Sequence, residues 1–407
     1  MNKLLHYIDS IQSGVWGEEE KNDINDVKCL RVADFKYENL SYQEPETIRN
    51  ISDKNKYLLK KGDILIEKSG GGEKTTVGRA VFVDRDSDSV YANFIDRLRP
   101  KNSNHGKFLT YFLACLYARQ INTKYIKQNT GIQNLDLHGY LREEVKFPPE
   151  SIWEKIVQFL DQKVARIDEA IAKKKKLMEL LEEKRRRQIT KVMTKGLNEK
   201  NFVDSDIEWL GKIPTNYELT YLIDVAYERK EKNYKGLEPQ LLSLSYGKII
   251  NKDVNTLGGL LPDSFDTYQL VKKGNIVLRL TDLQNDHVSL RVGFVEEPGM
   301  ITSAYSSLTA KPKILAKYLY YYLHSADLLK VFYSMGGGVR QSMKFEDLKR
   351  LPIVLPDRNI QEKTINFLDS YNKLVDEAKN KLHKSIEFLE EYKTSLISNA
   401  VTGKVKI

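Results

Sequence analysis

The sequence predicts an α+β fold built twice: two similar α/β domains and two long helices, the helices pairing antiparallel as a coiled coil in a pseudo-twofold tandem repeat. Three observations predict it. The second half of the chain copies the first, two stretches (151–194 and 359–402) contain neither Pro nor Gly, and apolar residues in both recur at three- and four-residue spacing. At 407 residues the chain exceeds one ordinary core, since a domain takes roughly 150 residues.

The repeat dictates architecture before any motif does. Phe159-Leu160-Asp161 returns 208 positions on as Phe367-Leu368-Asp369. Lys61-Gly62-Asp63-Ile64-Leu65-Ile66 returns 212 positions on as Lys273-Gly274-Asn275-Ile276-Val277-Leu278, and Arg79-Ala80-Val81-Phe82-Val83 as Arg291-Val292-Gly293-Phe294-Val295. Small loop changes account for the drift. The β-branched runs predict strands at 63–66, 79–83, 275–278 and 292–295. Aromatic and apolar spacing predicts a helix over about 106–127 in the first copy and 315–334 in the second. Loops match poorly, as 69–76 against 281–288 shows. Copies whose frames agree while their loops differ present two different surfaces from one fold.

Each Pro-free stretch is rich in Ala, Leu, Glu, Lys, Arg and Gln, strong helix formers, and would form a rod of roughly 65 Å at about 1.5 Å per residue. Such a rod needs a partner helix. Leu160, Ile167, Ile171, Met178 and Leu181 mark the seam of the first; Leu368, Val375, Leu382, Ile386 and Leu389 mark that of the second. Pairs such as Ile171 against Lys379, and Lys174 against Leu382, suggest that the two copies pair. The expected domains are 1–148, helix 149–196, linker and second domain 197–355, and helix 356–407.

Composition narrows function. Lys and Arg number 65 against 56 Asp and Glu, a net +9, the sign that phosphate backbones attract. The basic runs 173–176 and 184–187 are usually solvated faces, though such runs can also lie along phosphates. No stretch of about 18 apolar residues could span a bilayer, and Met1-Asn2-Lys3-Leu4 lacks a signal-peptide pattern, which predicts a cytoplasmic protein without membrane partners. Cys29 and Cys115 are the only cysteines, too few for a disulfide framework or thiolate metal site.

Catalytic motifs fail on inspection. Ser69-Gly70-Gly71-Gly72-Glu73-Lys74-Thr75 has Glu73 where a phosphate loop needs Gly, and a strand follows it where a helix should. Asp63 with Glu67-Lys68 has the wrong spacing for a metal-dependent nuclease, and the second copy carries Asn275 in place of Asp63. The six histidines show no metal-ligand spacing. No glycine-rich cofactor loop and no Asn/Asp-Pro-Pro-aromatic methyltransferase segment occurs. The expectation is a binder without catalytic or metal-binding residues.

The duplicated domain plus rod, the Gly-Asp-Ile-Leu strand and the linker Glu208-Trp209-Leu210-Gly211-Lys212-Ile213-Pro214-Thr215-Asn216-Tyr217-Glu218 together resemble the specificity subunit of type I restriction-modification systems. The resemblance spans the whole chain. Tyr217 stands where that family usually has Trp; its Glu-Gln pair at the start of the rod is reversed as Gln361-Glu362 and missing at Ile152-Trp153. The resemblance implies a non-catalytic subunit whose target-recognition domains read the halves of a bipartite, asymmetric site in double-stranded DNA, with the rods fixing the spacer. It also implies two methyltransferase subunits, which modify adenines using S-adenosylmethionine, and two restriction/translocase subunits that use ATP and Mg; this chain itself would hold no cofactor.

Reading bases requires polar side chains on loops that enter a groove. In the first domain the candidates are Lys68, Ser69, Lys74, Thr75, Arg79, Asn129, Thr130, Gln133 and Asn134. In the second they are Arg279, Thr281, Asp282, Arg291, Arg340, Gln341, Ser342 and Lys344. Arg79 and Arg291 match across the repeat, which suits phosphate contact or structure better than base identity. The competing reading is a structural or adaptor coiled-coil protein that reads no sequence.

Overall fold

The computed structural model describes residues 2–72, 75–129, 131–234, 240–253, 265–283, 290–335 and 342–405. Four helices organise it: α1 (Gly106–Ala118), α2 (Trp153–Lys195), α3 (Ala316–Leu328) and α4 (Arg358–Val401). The chain divides into two compact units, Met1–Lys176 with Leu382–Ile407, and Leu177–Lys381. Each long helix gives one part to each unit.

The first unit centres on a four-stranded antiparallel sheet of β1 (Ile8–Ser13), β2 (Ile64–Glu67), β3 (Ala80–Phe82) and β4 (Ile95–Pro100), in the order β1-β4-β2-β3. The second repeats that order as β5-β8-β6-β7, with β5 (Ala226–Arg229), β6 (Ile276–Leu278), β7 (Val292–Phe294) and β8 (Ser306–Ala310). All four residues of β2 and all three of β6 are buried, as strands covered on both faces must be. Helices α1 and α3 stop earlier than aromatic spacing suggests. In each, a left-handed residue soon follows the last turn, Gln120 at φ 56° and Lys330 at φ 62°, and a 3₁₀ turn replaces the remaining helix.

Both long helices start just beyond a proline. Trp153 Nε1 donates to the Pro148 carbonyl at 3.0 Å; Gln361 Nε2 does the same to Pro356 at 2.9 Å. Two turns on, Asp161 receives Lys107 and the Tyr111 hydroxyl, both at 2.7 Å. Asp369 receives Lys317 at 3.0 Å and Tyr321 at 2.6 Å. A short sheet-and-helix body is thus fastened to the first turns of its own rod by the same contacts in both units. Helix α2 ends at Gly196, whose φ of +73° is the usual left-handed stop.

Within each unit the rod segments run antiparallel. In the second, Arg185 meets Asp376 at 2.5 Å and Glu182 meets Lys379 at 2.9 Å, so partners ascend one helix as they descend the other. In the first, Asp168 meets Lys393 at 2.6 Å, while Val164, one turn before Asp168, and Ile397, one turn past Lys393, line a common cavity. Leu160, Ile167, Ile171, Leu368, Val375 and Ile386 are buried, and Met178, Leu181, Leu382 and Leu389 are half-buried. Lys379 finds its partner in Glu182, which corrects the pairing with Ile171 suggested by sequence. The linker packs on the second unit, where Leu210, Ile213 and Tyr217 join Ile189, Val192 and Met193 in one core.

Candidate nucleic-acid interface

In the first unit β2 runs into a short strand, Ser69–Gly70, that pairs with the hairpin Ile126–Asn129 and Ile132–Leu135. This pairing gathers Lys68, Ser69, Gln133 and Asn134 from two distant parts of the sequence. Lys68 reaches Asp96 at 3.0 Å and the Ser13 hydroxyl at 2.6 Å. The Ser69 hydroxyl donates to Asn134 Oδ1 at 2.7 Å, and Asn134 is exposed. Exposed Thr75 accepts the Gly72 N–H at 2.8 Å through its carbonyl. Asn129 ends the hairpin's first strand opposite Ile132. Lys74 and Thr130 lie outside the described residues.

Ser69 is buried, and two further first-unit candidates, Arg79 and Gln133, are turned inward. Arg79 bonds Glu67 at 3.0 Å and lies over the Tyr37 ring at 3.9 Å. Burial pushes the Glu67 carboxyl up, against the opposing pull of Arg79. Gln133 is buried, accepting the Val77 N–H at 3.2 Å and donating to the Gly72 carbonyl at 3.3 Å.

In the second unit Arg279, Thr281 and Asp282 follow β6, all half-buried. Arg291 is 0% exposed. Its guanidinium donates to the carbonyls of Arg279, Thr281 and Asp282 at 3.3, 2.7 and 3.1 Å, and to the Tyr333 hydroxyl at 3.1 Å. A side chain so enclosed offers DNA no surface, so the expectation that Arg291 is a DNA contact is corrected to a structural role: it ties down the chain leaving β6. The Met343 N–H donates to the Leu280 carbonyl at 2.8 Å, which sets exposed Ser342 and Lys344 beside that chain. Arg340 and Gln341 lie outside the described residues.

Sequence reasoning missed Ser13, which orients Lys68, and Phe94, whose carbonyl accepts the Lys68 N–H at 2.9 Å and whose ring is 44% exposed. Ser13 ends β1, across β4 from β2, and Phe94 immediately precedes β4, so only strand register brings them here. It also missed Asn122 and Tyr117, which hold Thr76 and Val77. Of the basic runs, Arg185 points inward to Glu182 and Asp376, whereas Lys173 and Arg187 pair along their own helix face with Glu169 and Glu183. Among the described residues, no three His, Cys, Asp or Glu side chains could hold a metal ion, and no helix is long and apolar enough to cross a membrane.

One frame made twice, with a different polar loop edge on each copy and a long helix after each, defines a tandem recognition protein. Residues 18–180 and 268–387 each match the type I restriction modification DNA specificity domain. These matches span more than half of the chain, which belongs to this family of specificity subunits. No curated protein matches it in sequence. Among solved structures, it is similar to a chain from a study of complex assembly and conformational transition of the type I R-M system (12% identity, 99% of this chain and 97% of that one, TM-score 0.70). It is also similar to the HsdS subunit of Thermoanaerobacter tengcongensis (12% identity, 99% and 96%, TM-score 0.54).

Proposed function

We propose that this chain reads a split, asymmetric sequence in double-stranded DNA, one half with each unit, and scaffolds two methyltransferase and two restriction/translocase subunits. The observation that carries the reading is the contrast between repeated frame and unrepeated loops: residues that fasten body to rod recur, while loops 69–76 and 281–288 do not. A scaffold that held two copies of one ligand would have reason to repeat its loops; a reader of two unlike half-sites would not. The chain supplies no reacting group in this reading. S-adenosylmethionine, ATP and Mg belong to the partners.

Competition binding tests it, using this chain assembled with its host's methyltransferase subunits. Unlabelled duplex carrying the cognate site should displace labelled site on the order of 10³-fold better than random duplex at physiological salt. Equal displacement would leave the adaptor reading. The rods would set the spacer, so inserting two heptads into both long helices should lengthen the tolerated gap and leave each half-site unchanged.

A further inference from the structure

Loop 70–78 of the first unit is closed at its base by the Gly78 N–H on the Glu67 carbonyl, 2.9 Å. Between those ends the Gln133 side chain touches both limbs. Gln133 receives the Val77 N–H on the returning limb through Oε1, and gives Nε2–H to the Gly72 carbonyl on the outgoing limb. Its backbone is fixed opposite Gly70 by the strand pairing. The fit leaves no spare room. Gly71 has φ +66°, and a Cβ there would stand 2.7 Å from Gln133 Oε1. Asn122, wholly buried, adds Nδ2 bonds to the Thr76 hydroxyl at 2.9 Å and the Val77 carbonyl at 2.7 Å.

We infer that Gln133 is a positioning residue: it touches no base, and by clamping the two limbs of the glycine loop it sets where exposed Thr75 stands for the first half-site. This rests on the DNA-reading proposed above. A primary amide is suited to the task because it offers one donor and one acceptor in a plane, here spent on one carbonyl and one N–H of opposite limbs. Preorganisation of this kind acts on discrimination, because a loop held in one conformation cannot adapt to a wrong base. Arg291 does comparable work in the second unit with a guanidinium on three carbonyls, so the two loops leave their frames through different clamps.

The test maps adenine methylation across the genome of host cells that express this chain with its methyltransferase subunits. For Gln133→Ala, discrimination against single-base changes in one half of the motif should fall on the order of tenfold, with the other half as strict as before. Methylation of cognate sites should fall less than discrimination does. Gln133→Glu keeps the acceptor for Val77 but turns an oxygen on the Gly72 carbonyl, and should relax the same half; it serves as the second variant if the alanine chain does not fold. An unchanged motif in the folded variants overturns the inference, as does a loss that is equal at matched and mismatched sites. A wild-type complex that methylates no defined sequence would instead sink the DNA-reading itself.

Discussion

The two units solve the same structural problem with different chemistry. In the first, Asp63 accepts the Lys60 N–H at 2.8 Å and is gripped by Arg99 through two bonds of 2.7 Å. In the second, Asn275 accepts the Lys272 N–H at 2.8 Å and donates to the Thr309 hydroxyl at 2.9 Å. A charged pair and a neutral pair thus close the same turn from the same two positions of the sheet. At the start of the rods an indole and an amide reach equivalent proline carbonyls, those of Pro148 and Pro356. Position in the frame sets the hydrogen bond to be made, and either chemistry makes it if both partners change together.

Breaking the rod start should give the largest effect. Trp153 is nearly fully buried and stacks on Phe108 at 4.1 Å, so Trp153→Ala should cost about 3–5 kcal/mol. Gln361→Ala, which removes an amide but little packing, should cost about 1–3 kcal/mol. Hydrogen exchange along α2 and α4 after each substitution measures both, and equal losses would contradict the difference drawn here.

Exchanging the turn pairs comes next. Asp63→Asn alone leaves Arg99 without its carboxylate and should cost about 3 kcal/mol. Adding Arg99→Thr rebuilds the second unit's pair and should recover most of that loss in urea unfolding; a double variant no better than the single would show that the pairs are not interchangeable.

Acid should separate the units. His324 is buried in the second, and α1 has Ala114 at the matching position. Burial, then the charges of Arg185 and Arg186, pushes His324 down to about 4. A depressed histidine pKa means that the unfolded chain takes up the proton first. The stability it contributes is therefore complete above about 6.5 and is lost as pH falls from there towards about 4, on the order of 3 kcal/mol in all. Hydrogen exchange at pH 7 and 4.5 should show the second unit weakening more, and His324→Gln should flatten the difference.

A smaller effect of the same direction comes from Glu182. Burial alone would raise its carboxyl, but Arg185 and Lys379 outweigh burial and hold it below the usual range. Its contribution is present above the ordinary glutamate value and fades as pH falls through the lower folded one. Lys379→Ala should cost about 1 kcal/mol and narrow that window in the 177–195 segment, with no change over 153–176.

Much of the fold was legible because periodicity and repetition are local properties of sequence. The rods begin and end within two residues of the Pro- and Gly-free stretches, and the strands lie where the β-branched runs do. Helices α1 and α3 were overestimated because aromatic spacing continues past the left-handed Gln120 and Lys330. Of the candidate edge, only adjacency was legible: sequence pointed to Lys68, Ser69 and Asn134, which strand pairing does bring together. Gln133 and Arg291 looked like the same kind of residue, and nothing in their neighbours in sequence says that they turn inward. Their partners, Val77 and Gly72 for one and the carbonyls after β6 for the other, are fixed by strand register and loop path, which side-chain type does not encode.

Mapping the methylated motif of the wild-type complex, in host cells with and without this gene, tests the central claim most directly. One frame carrying two unlike loop edges predicts a motif of two different halves around an unread gap of constant length, present only with the gene. A single uninterrupted motif, two identical halves, or a methylation pattern indifferent to the gene would contradict it.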